Sequence, residues 1–137
     1  MNIQLQHPVK KPIAVVFQFL TDVQQFVSVH PVIYRMEKTG ENQYKVFERL
    51  TLGFIPYNFT YTATIENDST QKTVSMKASV MKVIDIEMRF ELSEEKEGTT
   101  VNETIHFASF LPIKSLMAKI FSTQHKALFA NIEKTER

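Results

Sequence analysis

The chain has 137 residues, and 16 Lys and Arg against 15 Asp and Glu give it a net charge of +1. This balance offers no basic surface for a phosphate backbone, so nucleic acid is not an expected partner. The chain has no cysteine, which excludes disulfides and thiolate zinc sites and fits a cytoplasmic setting. No apolar run approaches the ~20 residues that cross a bilayer, so stable membrane insertion is not expected. The length fits a single domain over residues 1–137.

The N-terminal segment predicts one strand followed by two short helices. Residues 2–7 alternate polar and apolar side chains, which is the period of a strand with one buried face. Pro12 fits the first position of a helix, because its missing N–H is harmless there. Thr21, with Gln24 three residues later, is a capping-box pattern that would start the second helix. Pro31 would end that helix.

From residue 32 the apolar period changes to two, which predicts a meander of six strands. Apolar and polar side chains alternate along these runs, so one face of the sheet is buried and the other is wet. The strands are predicted at residues 32–38, 43–51, 57–66, 72–81, 83–93 and 100–110.

A long amphipathic helix is predicted after Pro112, where the period of the apolar residues becomes helical again. One helix ~10 Å wide cannot cover a sheet of seven strands spaced ~4.8 Å apart, so the sheet must curl around it. The expected architecture is therefore α+β, with a curved seven-stranded antiparallel sheet wrapped around the long C-terminal helix and two short helices between the first and second strands. Space is expected between sheet and helix.

The side chains expected to face this space are bulky, adaptable and mostly apolar. Unbranched Met repacks easily around a guest, and an inward tyrosine indicates a wet cavity or a rim, because a buried phenol needs a hydrogen-bond partner. The alternative is that these residues simply make a dense core. The residues predicted to line a ligand site are Tyr34, Tyr57, Tyr61, Met76, Met88, Glu103, Phe121 and His125.

Several features together resemble one known superfamily. They are the order of elements, His30-Pro31 after the helix pair, the Gly-Thr-Thr-Val of residues 98–101, and the Leu-Pro-Ile-Lys of residues 111–114 that opens the last helix. Over nearly the whole chain the pattern resembles the START-related helix-grip superfamily (SRPBCC-type), which includes the polyketide cyclase/dehydrase and lipid-transport group. The resemblance implies a helix-grip fold around a hydrophobic ligand, which some members cyclise or dehydrate. Residues 38–43 hold one glycine and so lack the glycine-rich loop of the plant members.

Glu48 and Glu103 fall on inward faces of their predicted strands. A buried carboxylate is kept when it is paired, hydrogen-bonded or held protonated, and these are also the conditions that make a general acid or base. The alternative is a carboxylate near a strand end or paired with an arginine. The two strands lie far apart in the meander, so the two carboxylates are not expected to cooperate.

Among the histidines, His125 is predicted near the apolar stripe of the last helix, where it would face the cavity mouth. The alternative is an imidazole on the helix surface or one held by structural hydrogen bonds. His30, before Pro31, is expected to shape the corner between helix and strand. No two histidines have the i, i+4 spacing of a helical metal site, so neither a metal nor a cofactor is expected.

The Leu-Gly-Phe-Ile-Pro segment of residues 52–56 is apolar yet turn-like. It would gate the cavity, touch a membrane surface, contact a second copy of the chain in a homodimer, or fold back onto its own core.

The sequence leaves three functions open. The favoured one is a non-enzymatic carrier or sensor of a small hydrophobic or amphipathic ligand. The others are a cyclase or dehydratase using Glu48, Glu103 or His125, and a protein-interaction module using Phe54, Ile55 and the helix surface.

Overall fold

A computed structural model describes residues 2–52, 54–80, 82–109 and 112–136. The described strands form one sheet, in which every neighbouring pair is antiparallel. Its order is β1-β7-β6-β5-β4-β3-β2, so the six-strand meander receives β1 beside its last strand. The predicted α+β helix-grip architecture is confirmed. The elements are β1 (Asn2–Val9), α1 (Ile13–Thr21), α2 (Val23–Val29), β2 (Ile33–Gly40), β3 (Gln43–Leu52), β4 (Ile55–Asp68), β5 (Thr73–Val80), β6 (Ile84–Glu95), β7 (Gly98–Ser109) and α3 (Lys114–Lys134).

The alternation in β6 and β7 decides which face of the sheet is buried. In β6 every second residue from Ile84 to Leu92 is buried, while the charged residues between them are exposed. The same alternation in β7 buries Val101, Ile105 and Phe107. Because side chains of a strand point alternately to opposite faces, this pattern places one continuous apolar surface under the helices.

A glycine is required where β7 begins beside the end of β1. Gly98 has φ of 151°, and a Cβ atom at this position would lie 2.3 Å from the carbonyl oxygen of Val9. Any other residue would therefore push β1 away from the hairpin of β6 and β7.

The two short helices connect the opposite edges of the sheet, since β1 and β2 are its outermost strands. Helix α1 begins directly after Pro12. The N-cap of α2 is Asp22, whose carboxylate accepts a hydrogen bond from the Gln25 N–H at 3.1 Å. The predicted Thr21 cap was wrong, because the Thr21 hydroxyl donates to the Phe17 carbonyl of the preceding turn.

The long helix α3 is held tightly along its C-terminal half. Leu128 and Ile132 are completely buried there, whereas Leu116 near the N-terminal end is 46% exposed. Polar contacts add to this attachment: the Asn131 amide donates to the Val29 carbonyl at 2.8 Å, and Glu133 accepts from the Lys10 backbone N–H at 2.8 Å. The N-terminal half of the helix therefore lies over the sheet without this close packing.

Tyr34 does not face the helix, and its assignment to the ligand site was wrong. The register of β2 against β3 shifts between Ile33 and Arg35, so Tyr34 is an extra residue in a β-bulge. The bulge lets Ile33 point inward, and Tyr34 is 51% exposed against Phe47, with ring centroids 6.1 Å apart. An unbroken period of two along β2 would instead place Tyr34 on the same face as Met36.

Candidate functional site

A cavity of about 390 Å³ lies between the N-terminal half of α3 and the apolar face of the sheet. Pockets that hold small ligands typically measure ~300–1,000 Å³. Its wall is mostly apolar and includes three methionines, Met76, Met88 and Met117. Its polar lining residues are His30, Glu48, Tyr57, Asn58, Tyr61, Gln124 and His125.

A carboxylate and a phenol form one polar part of the wall. The Tyr61 hydroxyl in β4 donates to Glu48 Oε1 in β3 at 3.1 Å, across directly paired strands. Burial raises the pKa of Glu48, although the Tyr61 hydrogen bond and nearby His125 act in the opposite direction. Burial, and then the Glu48 charge, raise the pKa of Tyr61 well above its ordinary value. The pair therefore resists ionisation of the phenol and favours protonation of the carboxylate.

His30 lines the cavity and shapes the corner between α2 and β2. Its Nδ1 accepts the backbone N–H groups of Val32 at 3.2 Å and Ile33 at 3.0 Å. Burial, reinforced by repulsion from His125, lowers the pKa of His30 to about 3. A neutral ring that accepts at Nδ1 carries its proton on Nε2, so His30 presents a donor with no charge.

A buried carboxylate joins two histidines behind the cavity wall. Glu103 in β7 is 1% exposed and accepts from His7 Nε2 in β1 at 2.9 Å and from His125 Nδ1 in α3. Burial by itself would raise the pKa of Glu103, but the hydrogen bonds and charges of His125 and His7 lower it below its ordinary value. The His7 ring also stacks on Phe129, with centroids 4.4 Å apart. The cluster ties β1, β7 and α3 together and fixes the imidazole of His125.

Gln124, one residue before His125, contributes an unsatisfied donor. Its side-chain Nε2 is buried without a hydrogen-bond partner, and Gln124 lines the cavity. A buried amide nitrogen without a partner is costly, and a ligand with an acceptor would satisfy it.

The cavity mouth has an apolar rim. Tyr57 and Leu116 line the cavity and are 47% and 46% exposed. Phe54, just before β4, and Ile55, the first residue of β4, are 100% and 57% exposed, and neither is among the residues that line the cavity. The alternative in which this segment folds back onto its own core does not hold for these two residues, since neither is covered.

The described residues contain no group of three or more His, Cys, Asp or Glu side chains arranged to hold a metal. Among the described helices, none combines the length and the hydrophobicity of a membrane-crossing segment.

Comparison with known families decides the classification. The sequence model of the carbon monoxide dehydrogenase component CoxG matches residues 6–134. The chain belongs to the CoxG family. No curated protein sequence gives a significant match.

Solved structures share the fold of this CoxG-family chain at low sequence identity. A START superfamily protein from Mycobacterium smegmatis has a TM-score of 0.79 at 12% identity and covers 97% of both chains. Ara h 8.0201 has a TM-score of 0.78 at 14% identity, over 97% of this chain and 95% of that one. The ZhuI aromatase/cyclase from Streptomyces sp. R1128 has a TM-score of 0.78 at 12% identity, over 100% and 96%. These matches confirm the resemblance to the START-related helix-grip superfamily.

The cavity of this CoxG-family member brings together most of the residues singled out in the sequence. Neither Tyr34 nor Glu103 belongs to the wall: Tyr34 lies on the outer face, and Glu103 lies behind His125. Glu48, considered only as a catalytic candidate, does belong to it. The predicted lining residues found in the wall are Tyr57, Tyr61, Met76, Met88, Phe121 and His125.

Sequence reasoning missed the partners of the two buried carboxylates. Pairing with an arginine was one alternative for these carboxylates, but Glu103 contacts His7 and His125, and Glu48 contacts Tyr61. One signal for His7 was present, because the period of two in β1 places it on the same face as the apolar Ile3 and Leu5.

Proposed function

We propose that this protein holds one small hydrophobic or amphipathic molecule in the cavity between α3 and the sheet, as a carrier or sensor. The observation that carries the proposal is an apolar cavity of about 390 Å³ with polar side chains grouped on its wall. Apolar burial would supply most of the affinity, and the polar groups would orient the guest.

The packing of the helix supports this proposal. A close-packed protein interior leaves few voids larger than a water molecule. A cavity of this size between well-formed elements is therefore unusual for a purely structural core and fits a bound molecule. The exposed N-terminal half of α3 and the partly exposed Tyr57 and Leu116 give that occupant a route to solvent.

Native mass spectrometry of the gently purified protein tests the proposal, followed by titration with the uncharged dye N-phenylnaphthylamine. We expect a co-purified small molecule or a saturable one-to-one fluorescence increase. The matched variant is Ile86→Phe, which adds an aromatic ring to the cavity wall. This variant should abolish dye binding or weaken the affinity for the dye at least about tenfold, which corresponds to ~1.4 kcal/mol of binding free energy. Equal dye binding by the wild type and Ile86→Phe would place the dye elsewhere and count against the proposal.

A cyclase or dehydratase is the second candidate, favoured by one observation: Glu48 and His125 line the same cavity, and burial raises the pKa of Glu48. A carboxyl group whose pKa is raised by an apolar site is better suited to general acid catalysis than one in water. Single replacement of Glu48, Glu103 and His125 tests this reading. It fails if none of the three lowers turnover of an aromatic polyketide or lipid substrate.

The exposed apolar side chains of Phe54, Ile55 and Leu116 support a third candidate, contact with another protein or a second copy of this chain. The CoxG family is named for a component of carbon monoxide dehydrogenase, which fits an assembly role. Sedimentation velocity of the wild type and of Phe54→Ser tests self-association. A concentration-independent monomer in both excludes the homodimer.

A further inference from the structure

Among the residues that the structure describes, those lining the cavity carry no permanent positive charge. The chain has 16 Lys and Arg, yet none of them is among the described residues that line the cavity. An anionic ligand entering it would lose its hydration without gaining a cationic partner. Burying an unpaired charge in mostly apolar surroundings is strongly unfavourable.

The histidines do not replace the missing cation. His30 stays neutral near physiological pH, since burial and His125 hold its pKa at about 3. A proton added to His125 would lie against the Glu103 carboxylate, which compensates its charge. Glu48, the acidic residue in the wall, contributes negative charge when it ionises and so also opposes an anion.

The same side chains offer hydrogen bonds to an uncharged group. His125 donates through Nδ1 to Glu103, so its Nε2 is the ring nitrogen left for a ligand, as an acceptor when the ring is neutral and as a donor when it is protonated. His30 accepts through Nδ1, which leaves Nε2–H as a donor. Gln124 adds a buried Nε2 donor without a partner. A hydroxyl group can use both donors and acceptors, and a carbonyl oxygen can use the donors.

We propose that the cavity selects an uncharged ligand whose polar end is a hydroxyl or carbonyl group, and rejects the carboxylate of the same carbon skeleton. This inference rests on the proposed function and adds the chemical class of the ligand. An isolated carboxylate would face Glu48 with no lysine or arginine in the described wall to balance it.

Displacement of N-phenylnaphthylamine by decanol, methyl decanoate and decanoate, at neutral pH, tests this selectivity. The three compounds share one chain length and differ in the polar end. We expect the alcohol and the ester to bind at least about tenfold more tightly than the carboxylate, because only the carboxylate buries a charge.

A preference for the alcohol could also arise from hydrophobicity alone, and Glu48→Gln separates the two causes. This variant keeps the shape of the side chain and removes its charge. It should therefore reduce the ratio of the affinity for decanol to the affinity for decanoate at least about threefold. The matched control is Glu66→Gln, which removes an exposed glutamate elsewhere on β4 and should leave the ratio unchanged. Circular dichroism checks the folding of both variants.

The outcomes are distinct. Decanoate binding to the wild type as tightly as decanol overturns the inference, whether or not Glu48→Gln folds, and leaves the proposed function standing. An unchanged ratio in a folded Glu48→Gln also overturns it. Failure of the dye and of all three compounds to bind overturns the proposed function, and the inference with it.

Discussion

The carboxylate of Glu103 in β7 and the imidazole of His125 in α3 form a buried hydrogen bond that joins the sheet to the long helix. His125 also lines the cavity. The same contact that attaches the helix therefore fixes the orientation of a side chain in the candidate site. Because His125 serves both the attachment of the helix and the candidate site, stability and ligand binding must be measured separately in its variants.

Replacing Glu103 by Gln should destabilise the protein strongly. His7 and His125 contact different oxygens of Glu103, so in glutamine one of the two histidines would face the amide NH₂ instead of an acceptor. Breaking a buried charged network of this kind costs about 3 kcal/mol of the free energy of unfolding, measured by urea titration.

The control for Glu103→Gln is Glu91→Gln. Glu91 contacts Arg89 on the exposed face of β6, and its loss should change the free energy of unfolding by less than about 0.5 kcal/mol. Equal effects of the two replacements would mean that the buried cluster contributes little to stability.

The stability that Glu103 contributes should depend on pH. Because His125 and His7 lower the pKa of Glu103, this contribution is present above pH 4.5, the ordinary pKa of a glutamate, and is lost as the pH falls through the lowered pKa.

His30 should make stability depend on pH over a different range. Its pKa is lowered from an ordinary 6.5 to about 3, mainly by burial. Between these values the unfolded chain binds a proton that the folded protein rejects, so stability falls as the pH decreases from 6.5 toward 3.

Replacing His30 by Asn isolates this contribution. The Asn carbonyl oxygen can still accept the Val32 and Ile33 N–H groups but does not titrate. Urea titrations across the range should show a flatter pH dependence for His30→Asn than for the wild type, and replacement of the exposed His106 by Asn is the matched control. If the free energy of unfolding of His30→Asn depended on pH as steeply as that of the wild type, His30 would not be the source of this pH dependence.

Two isoleucines in neighbouring strands test the packing. Ile86 lines the cavity, whereas Ile105 is completely buried outside it. Ile86→Phe has room to place its ring and should change the free energy of unfolding by less than about 1 kcal/mol, while Ile105→Phe overpacks the core and should cost about 2 kcal/mol. Thermal and urea unfolding measure both. Equal losses would mean that the space beside Ile86 is not available to a side chain.

The sequence predicted the fold well because its apolar periods are long and regular. The alternation from Ile84 to Leu92 predicts one strand with one buried face, and the helical stripe after Pro112 predicts one long helix. The prediction failed at Tyr34, because a bulge depends on how β2 pairs with β3, which periodicity within one strand does not record.

The candidate site was predictable only in part. Apolar lining residues such as Met76 and Met88 follow directly from the strand period. The partners of Glu103 do not, because His7 and His125 lie 96 and 22 residues away along the chain and meet only when β1 and α3 pack on β7. The role of His30 depends on the local turn that directs two backbone N–H groups at its ring.

The most direct test of the central claim is a nuclear magnetic resonance titration with decanol that follows isotope-labelled methionine methyl groups. Met76, Met88 and Met117 line the cavity, whereas Met36 does not line it and packs against a core cluster that includes Val46 and Ala63. We expect saturable shifts at the three lining methyl groups, and intermolecular contacts from them to the ligand, with Met36 unchanged. Saturable binding that leaves the lining methyl groups unperturbed, or no binding at all, would contradict a ligand site between α3 and the sheet.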